Sequence, residues 1–486
     1  MSAHYHSRGG IASRAAPGTF TAILTAGLSL LILSGCTSLM SKNPGLELEA
    51  AQRIIPSVWS RSIASDYSLA RPSTLPADWW LGFQDPLMST LIVQAMENNT
   101  SVLIAQASLR QSRALRDVAA AALLPVVAGS AMAKHSIVGG KSSGNQFALG
   151  FDANWELDIF GVNRHALTVS EASLAASSAS LADVKTSIAA EVALDYILLR
   201  GSQSRLFIAR ENLTSQRATL EITDWRQQAG LVSALQVEQA KTIVAQTTAQ
   251  LAALQTSIVQ TCHAIAVLIG QSPASLVNTL ASEAPVPRPM QTIVLSIPAE
   301  TLRQRPDVRV AEEQVRAAIA RVSQADAMRM PSFNIGGSFG LSAMSLSALG
   351  NSSAIVSSLL AGVSLPIFNG GALRAQVQAQ EAALDQANAV YHANILIALS
   401  ETENALVALH NDRQRLFAMQ QAADAASQAA QLARQLFGAG LVDFQVVNET
   451  QRTQFSTQDN VAVANTDLSA DHVRLYKALG GGWRSN

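Results

Sequence analysis

Charge is scarce in this chain. Asp, Glu, Lys and Arg make up 14% of its 486 residues, against roughly 25% in an average soluble domain, and the formal net charge is −1. A nucleic-acid partner therefore has no electrostatic support. Aromatic residues are few as well, at 5%, although hydrophobic residues reach 48%. The apolar content comes from small and aliphatic side chains, which suit closely packed helices better than a thick globular core. Two cysteines, Cys36 and Cys262, leave no disulfide framework. No His or Cys pair has metal-ligand spacing, and no glycine loop has the pattern that cradles phosphate. Cys262 and His263 are neighbours on a helical run and point about 100° apart. The reading is a protein that is not an enzyme and that has no catalytic residues, metal or cofactor.

Glycine and proline are absent from Ala372 to Phe437, 66 residues rich in Ala, Gln, Leu and Glu. One helix of that length is ~100 Å long at about 1.5 Å per residue, several times the ordinary mean of about 11–12 residues. Val377, Leu384, Tyr391, Ala398 and Ala405 fall seven apart, the spacing of a coiled-coil seam. Such a rod spans a distance and presents its turn, Phe437 to Asp443, at the far end. Val162 to Ala229 makes a second rod of 68 residues, interrupted only by Gly201. Pro86–Leu124 and Ser233–Ile269, with 39 and 37 residues, are each about half a rod, so two stacked end to end would flank each rod. No helix is expected to be apolar enough for a membrane transporter.

The chain repeats itself. Pro125 and Pro331 each end a helix and open a strand-like stretch, 206 residues apart. Asp158-Ile159-Phe160-Gly161 returns as Pro366-Ile367-Phe368-Asn369, 208 apart at the Phe, and Ala229-Gly230-Leu231-Val232 returns 210 later as Ala439-Gly440-Leu441-Val442. Three landmarks in order at a nearly constant offset mark a tandem duplication, each half reading helix, strand, strand, long helix, turn, helix. Phe147, Leu149, Phe151, Ala153 and Trp155 share one strand face opposite Ala148, Gly150, Asp152 and Asn154. Phe333 to Leu341 and Leu359 to Leu365 repeat that alternation, and only Val126 to Ser136 is ambiguous. An apolar face alternating with a small polar one over about ten residues is what a membrane barrel strand requires. The expected fold is mainly α with a membrane β part. Four strands do not close a barrel, so other copies of the chain must pair their edges.

Residues 1–35 read as an export signal: Arg8 and Arg14, then the apolar run Phe20 to Leu33. The run ends in Leu33-Ser34-Gly35-Cys36, which resembles a bacterial lipobox. That resemblance implies that Cys36 takes a covalent lipid on sulfur and becomes the mature N-terminus. With Thr37 after it, the expected location is the outer membrane, facing the periplasm. Residues 36–84 form a linker with Trp59, Trp79 and Trp80 as anchors. The first repeat covers 85–271, a Pro-rich linker 272–298, the second repeat 299–480 and a tail 481–486.

Pro76-Ala77-Asp78-Trp79-Trp80, Phe83-Gln84-Asp85-Pro86-Leu87 and Ala95-Met96-Glu97-Asn98-Asn99 resemble the opening of TolC-like outer-membrane efflux factors, in the lipoprotein branch that includes NodT. Leu302 to Arg309 resembles the phrase that opens the second repeat in that branch. The resemblance implies a homotrimer whose four strands per chain give a 12-stranded barrel, above a periplasmic tunnel of packed helices. It implies a passive exit duct for drugs or other small molecules, fed by an inner-membrane pump of the resistance-nodulation-division type through a periplasmic adaptor. The adaptor would dock at the tips, Gly230, Leu231 and Val232 with Gly440, Leu441 and Val442. Asp443, Gln445 and Glu449 would line the closed tunnel mouth, Glu449 standing nine positions after the tip glycine as the acidic ring of the family. Two positions depart from the family: Val446 stands where some members have a second acidic residue, and Gln236 where the first tip carries a hinge partner. The alternatives are a conduit for a type I protein secretion system and a lipid-anchored periplasmic coiled-coil scaffold without a barrel.

Overall fold

The computed structural model describes residues 55–56, 59, 78–139, 141–289 and 302–481. The chain divides into two compact units, Met1–Ala51 and Gln52–Asn486. The first lies outside the described residues, and with it the export signal, Leu33, Ser34, Gly35 and Cys36. Most of the 36–84 linker, residues 290–298 and the last five residues of the tail are outside them too.

Within the second unit, Trp79–Phe83 forms a 3-10 turn, followed by α1 (Pro86–Asn98), α2 (Thr100–Ala121), β1 (Val126–Val138) and β2 (Lys141–Leu157). Next come the rod α3 (Val162–Gln228) and α4 (Ala234–Leu268). The second half follows the same plan with α5 (Pro306–Ala327), β3 (Ser332–Ala343), β4 (Ile355–Ser364), the rod α6 (Ala372–Gly438) and α7 (Phe444–Ala478). Asp85 caps α1 by accepting from the Met88 amide at 2.9 Å, and Pro86 at the first helical position has no amide to leave unpaired.

The helix expected over Pro86–Leu124 is two helices. Asn99 leaves the helical region (φ −63°, ψ 132°) and its Oδ1 accepts from the Ser101 and Val102 amides, starting α2 anew. Its Nδ2 donates to the Leu268 carbonyl at 2.8 Å, so the break ties the start of α2 to the end of α4. Asparagine prefers this role to a helix interior because its side chain competes for backbone amides. α4 is also long and apolar enough to cross a membrane, contrary to expectation, yet it packs along α3.

The packing gives the lateral order. α2 and α4 flank α3 on one side, α5 and α7 flank it on the other, and α6 packs against α5 and α7. Each short helix thus covers half of a rod. Along α6 the seven-residue seam is partly buried at Val377 and Leu384 and buried at Tyr391, Ala398 and Ala405. The largest buried cluster joins Trp59, Trp79, Trp80 and Phe83 to the middle of α3 and the end of α7, with Trp79 stacked on Tyr476 at 5.2 Å. The described part of the Pro-rich linker straps the same level. Arg200 donates to the Ser282 carbonyl at 2.6 Å, and Gln203 to the Leu280 carbonyl at 2.7 Å. The Leu302–Arg309 phrase also has a physical reading: buried Arg305 chelates Asp307, reaches Glu401 at 2.6 Å and donates to the Ala478 carbonyl at the end of α7.

All four strands form one antiparallel sheet in the order β1-β2-β3-β4, including the ambiguous stretch Val126–Ser136. The halves meet at β2 and β3, with Phe151 opposite Phe339, Leu149 opposite Leu341 and Trp155 opposite Ile335. The alternating apolar residues of β2 and β3 therefore share a face with Val127, Ala131 and Ala133 of β1 and with Ile355, Leu359, Ala361 and Val363 of β4, while Val126, Met132, Val356 and Leu360 lie on the other. Polar pairs lie on the other, with Ser130 donating to Asp152 at 2.8 Å and Ser338 bonded to Ser358 at 2.8 Å. Gly150 and Gly340 face each other where a Cβ on Gly340 would stand 2.5 Å from the Leu149 carbonyl oxygen, so only glycine permits this approach. β1 and β4 are the edges of the sheet, and among the described residues their outer sides are unpaired.

Candidate functional site

The candidate site is the pair of hairpin tips that end the rods. Both are built alike. α3 closes with the Gly230 amide donating to the Gln227 carbonyl and the Leu231 amide to the Arg226 carbonyl. α6 closes with Gly440 to Phe437 and Leu441 to Leu436. These paired bonds satisfy the last free carbonyls of a helix and need a left-handed residue between them, which Gly230 (φ 72°) and Gly440 (φ 75°) supply. Leu231 and Leu441 are left 74% and 71% exposed.

Val232 and Val442 differ from expectation: both are half-buried. Val442 packs against a small cluster of Ala240, Ala433, Phe437, Phe444 and Val447, which spans both hairpins. A residue two positions past a helix-ending glycine turns back toward its own hairpin, so only the leucine of each Gly-Leu-Val projects.

Asp443 is exposed at the N-cap of α7 with no side-chain cap bond, and Gln445 is exposed on its first turn. Glu449 is 73% exposed, with Arg452 at 3.8 Å. It lies in a groove of mixed character between α4 and α7, lined by Gln216 of α3 and by Ile243, Gln246, Gln250, Thr453 and Phe455. Gln236 is engaged locally: its Oε1 accepts from the Ser233 amide at 3.3 Å in a capping arrangement that starts α4.

Sequence reasoning missed the residue that couples the tips. Arg226, in the last turn of α3, donates to the Phe437 and Gly438 carbonyls at 2.9 and 3.2 Å. Its guanidinium lies 4.2 Å from the centre of the Phe437 ring. The only signal was a basic residue in the final turn of a helix, where it suits the dipole. Arg226 also completes a ladder. Arg205 chelates Asp459 at 2.7 and 3.0 Å, Asn212 donates to Gln458 at 3.1 Å, and Thr219 accepts from Gln451 at 2.9 Å. Residues 205, 212, 219 and 226 are seven apart, so one stripe of α3 carries every rung. Among the described residues no group of three or more His, Cys, Asp or Glu could hold a metal ion.

The outer membrane efflux protein family matches residues 91–271 and 297–481 of this chain. The pyoverdine export outer membrane protein OpmQ of Pseudomonas putida is 32% identical over 445 residues, covering 89% of this chain and 93% of that protein. The solvent efflux pump outer membrane protein SrpC of Pseudomonas putida is 31% identical, over 82% and 86%. Nodulation protein T of Rhizobium leguminosarum bv. trifolii is 28% identical, over 83% and 88%. Among solved structures, the outer-membrane channel OprN superposes with a TM-score of 0.83 at 33% identity, covering 88% of this chain and 97% of that one. VceC, an outer membrane protein of Vibrio cholerae, gives 0.78 at 25% identity, over 85% and 100%.

Proposed function

This chain belongs to the outer membrane efflux protein family, and we propose that it is the exit duct of a tripartite pump for drugs or other small molecules. It is an outer-membrane channel with the fold of OprN and VceC. The observation that carries the reading is one antiparallel sheet, apolar along one face and open at both edges, joined to two 67-residue rods. Three copies would close the sheet into a barrel and the rods into a tunnel. The unpaired strand edges support this, since backbone groups facing lipid need partners.

An adaptor protein docks at the tips, with Leu231 and Leu441 as its apolar contacts and Gly230 and Gly440 holding the turns. Val232 and Val442 support the turns from within. An inner-membrane pump of the resistance-nodulation-division type supplies the energy through that adaptor. Asp443, Gln445 and Glu449 line the mouth, where one Glu449 per subunit favours cations. Cys36 carries a lipid after cleavage behind Gly35, adding an anchor to that of the strands.

Site-specific photocrosslinking from Leu441 in living cells, with mass spectrometry of the captured protein, tests the docking. The expected catch is an adaptor that co-purifies with a resistance-nodulation-division pump. An adaptor serving an ATP-driven protein exporter would move the function to secretion. No periplasmic partner from a correctly folded protein would end the docking proposal.

A further inference from the structure

We propose that the groove between α4 and α7 is a binding site on the tunnel wall. Its ligand is a small organic molecule without net charge, with an apolar face and with amide or hydroxyl groups. The proposal rests on the duct reading above, which makes the side bearing Glu449 the inside of the tunnel. It adds a place where cargo is held.

The groove is bounded at both ends. α4 and α7 each pack along α3, and two apolar clusters bridge them. Near the tips, Ala240 of α4 shares a cluster with Phe444 and Val447 of α7, and Leu220 of α3 packs against it. Further from the tips, Leu254 of α4 shares a cluster with Leu206 and Ala209 of α3, and Phe455 of α7 packs against that one. Between the two clusters the helices stand apart and leave about 440 Å³, within the range of small-molecule sites.

A buried amide without a partner lines this space. Gln216 is 5% exposed, and its Oε1 has no hydrogen-bond partner among the described residues. Polar side chains beside it on α3 are engaged: Asn212 donates to Gln458, Ser215 accepts from Arg434 and Thr219 accepts from Gln451. Most buried polar atoms are paired, and one left unpaired is costly. An apolar side chain at 216 would avoid that cost and close the groove. A ligand in the groove supplies the missing partner. It can do so in either sense, because a carboxamide offers an acceptor on one side and donors on the other.

The rest of the lining sets the chemical class. Gln246 of α4 and Thr453 of α7 both donate and accept, while Ile243 and Phe455 provide the apolar side. Glu449 and Arg452 are largely exposed and stand 3.8 Å apart, so their charges offset each other and neither an anion nor a cation is favoured. The bare structural role for Gln216 is to fix the register of a helical seam, as a buried polar residue does in some coiled coils. That role requires no ligand.

Fluorine NMR separates the two roles. The probe is N-acetyl-4-fluorophenylalaninamide, which is neutral and carries a ring and amide groups. Its methyl ester analogue lacks the terminal amide donors. Each is titrated with the full chain reconstituted in phospholipid nanodiscs. The expected result is saturable broadening of the fluorine line by the wild type, with the ester bound about fivefold more weakly for the loss of one hydrogen bond. Gln216→Leu should weaken the amide by a similar factor and bring amide and ester level. Gln216→Glu keeps an acceptor and should preserve the preference for the amide. Gln246→Trp, which fills the groove from α4, should abolish saturable broadening in a protein that still migrates as a folded oligomer before heating. Equal binding of amide and ester by the wild type, or unchanged binding by Gln216→Leu, overturns the site and leaves Gln216 a structural residue. Ion conductance of the wild type in lipid bilayers is recorded alongside. Conductance without saturable binding overturns the wall site and leaves the duct standing, whereas absence of conductance removes the duct and the wall site with it.

Discussion

His472, near the end of α7, is a buried histidine among opposing charges. Burial, with the nearby charge of Arg413, lowers its pKa from 6.5 to about 4, and its Nδ1 has no hydrogen-bond partner among the described residues. A base whose folded pKa lies below its unfolded value gives stability that is whole above pH 6.5 and lost as pH falls through 4. Asp471 beside it acts in the opposite sense. Burial first, then Asp412, raise its pKa, while Arg474, donating to its Oδ1 at 2.6 Å, opposes them. Its contribution is present at low pH and lost as pH rises through the folded value. His472→Gln should therefore lessen the fall in stability between pH 7 and pH 4, by up to about 3 kcal/mol. Thermal melts of the detergent-solubilised protein across that range check it, and an equal fall in the variant would clear the imidazole of the acid sensitivity. Sequence gave no hint of this group, because burial of one histidine depends on which helix faces meet. Glycines of the tips were legible for the opposite reason: a left-handed turn is a local demand, and Gly230 and Gly440 meet it within four residues of chain.

At the scale of elements, the rods were legible because the absence of glycine and proline over 66 residues leaves one conformation. The break at Asn99 was not, since a lone asparagine becomes a cap only when a partner such as the Leu268 carbonyl waits nearby. Gly201 is the sharpest case. In sequence it is merely tolerated in a helix; in the structure a Cβ there would lie 2.2 Å from Thr466 Oγ1 and 3.0 Å from its Cβ. α3 and α7 thus approach through a side-chain-free position, just beyond the Arg205–Asp459 rung. Glycine costs a helix about 1 kcal/mol relative to alanine, so packing must outweigh propensity for it to help. Threonine is stiff at χ1 and its Cβ cannot rotate away, so the helices must part. Gly201→Ala should then destabilise by about 1–3 kcal/mol, in the range of core overpacking, despite its better propensity. Combining it with Thr466→Ala should recover most of the loss. Denaturant melts of the four proteins in the cycle test this, and a stabilised single variant would show that the contact yields freely.

For the whole molecule, the question is what holds the chain in the membrane. Two anchors come into question: the lipid proposed on Cys36, and a sheet whose apolar face carries Leu149, Phe151, Phe339, Leu359 and Val363, all exposed within the chain. Each side chain of this size contributes roughly 1.5–3 kcal/mol when removed from water, and the proposed trimer would multiply the sum by three. A single acyl chain would give only marginal, reversible binding, but the two carried by a diacylated cysteine are enough for stable attachment, so only removal of the lipid separates the two anchors. The period-two alternation made the face legible in advance in three strands. β1 stayed ambiguous because Ala128, Ala131 and Ala133 fall on both faces and erase the contrast. If the sheet is the principal anchor, exporting the mature chain with an ordinary cleavable signal in place of residues 1–36 should leave it in the membrane pellet after high-pH extraction. It should still conduct ions in lipid bilayers. Release into the soluble fraction would make the lipid the essential anchor and reduce the strands to an adjunct. Retention without conductance would mean that the sheet inserts but the tunnel does not form, placing the lipid in assembly instead of attachment.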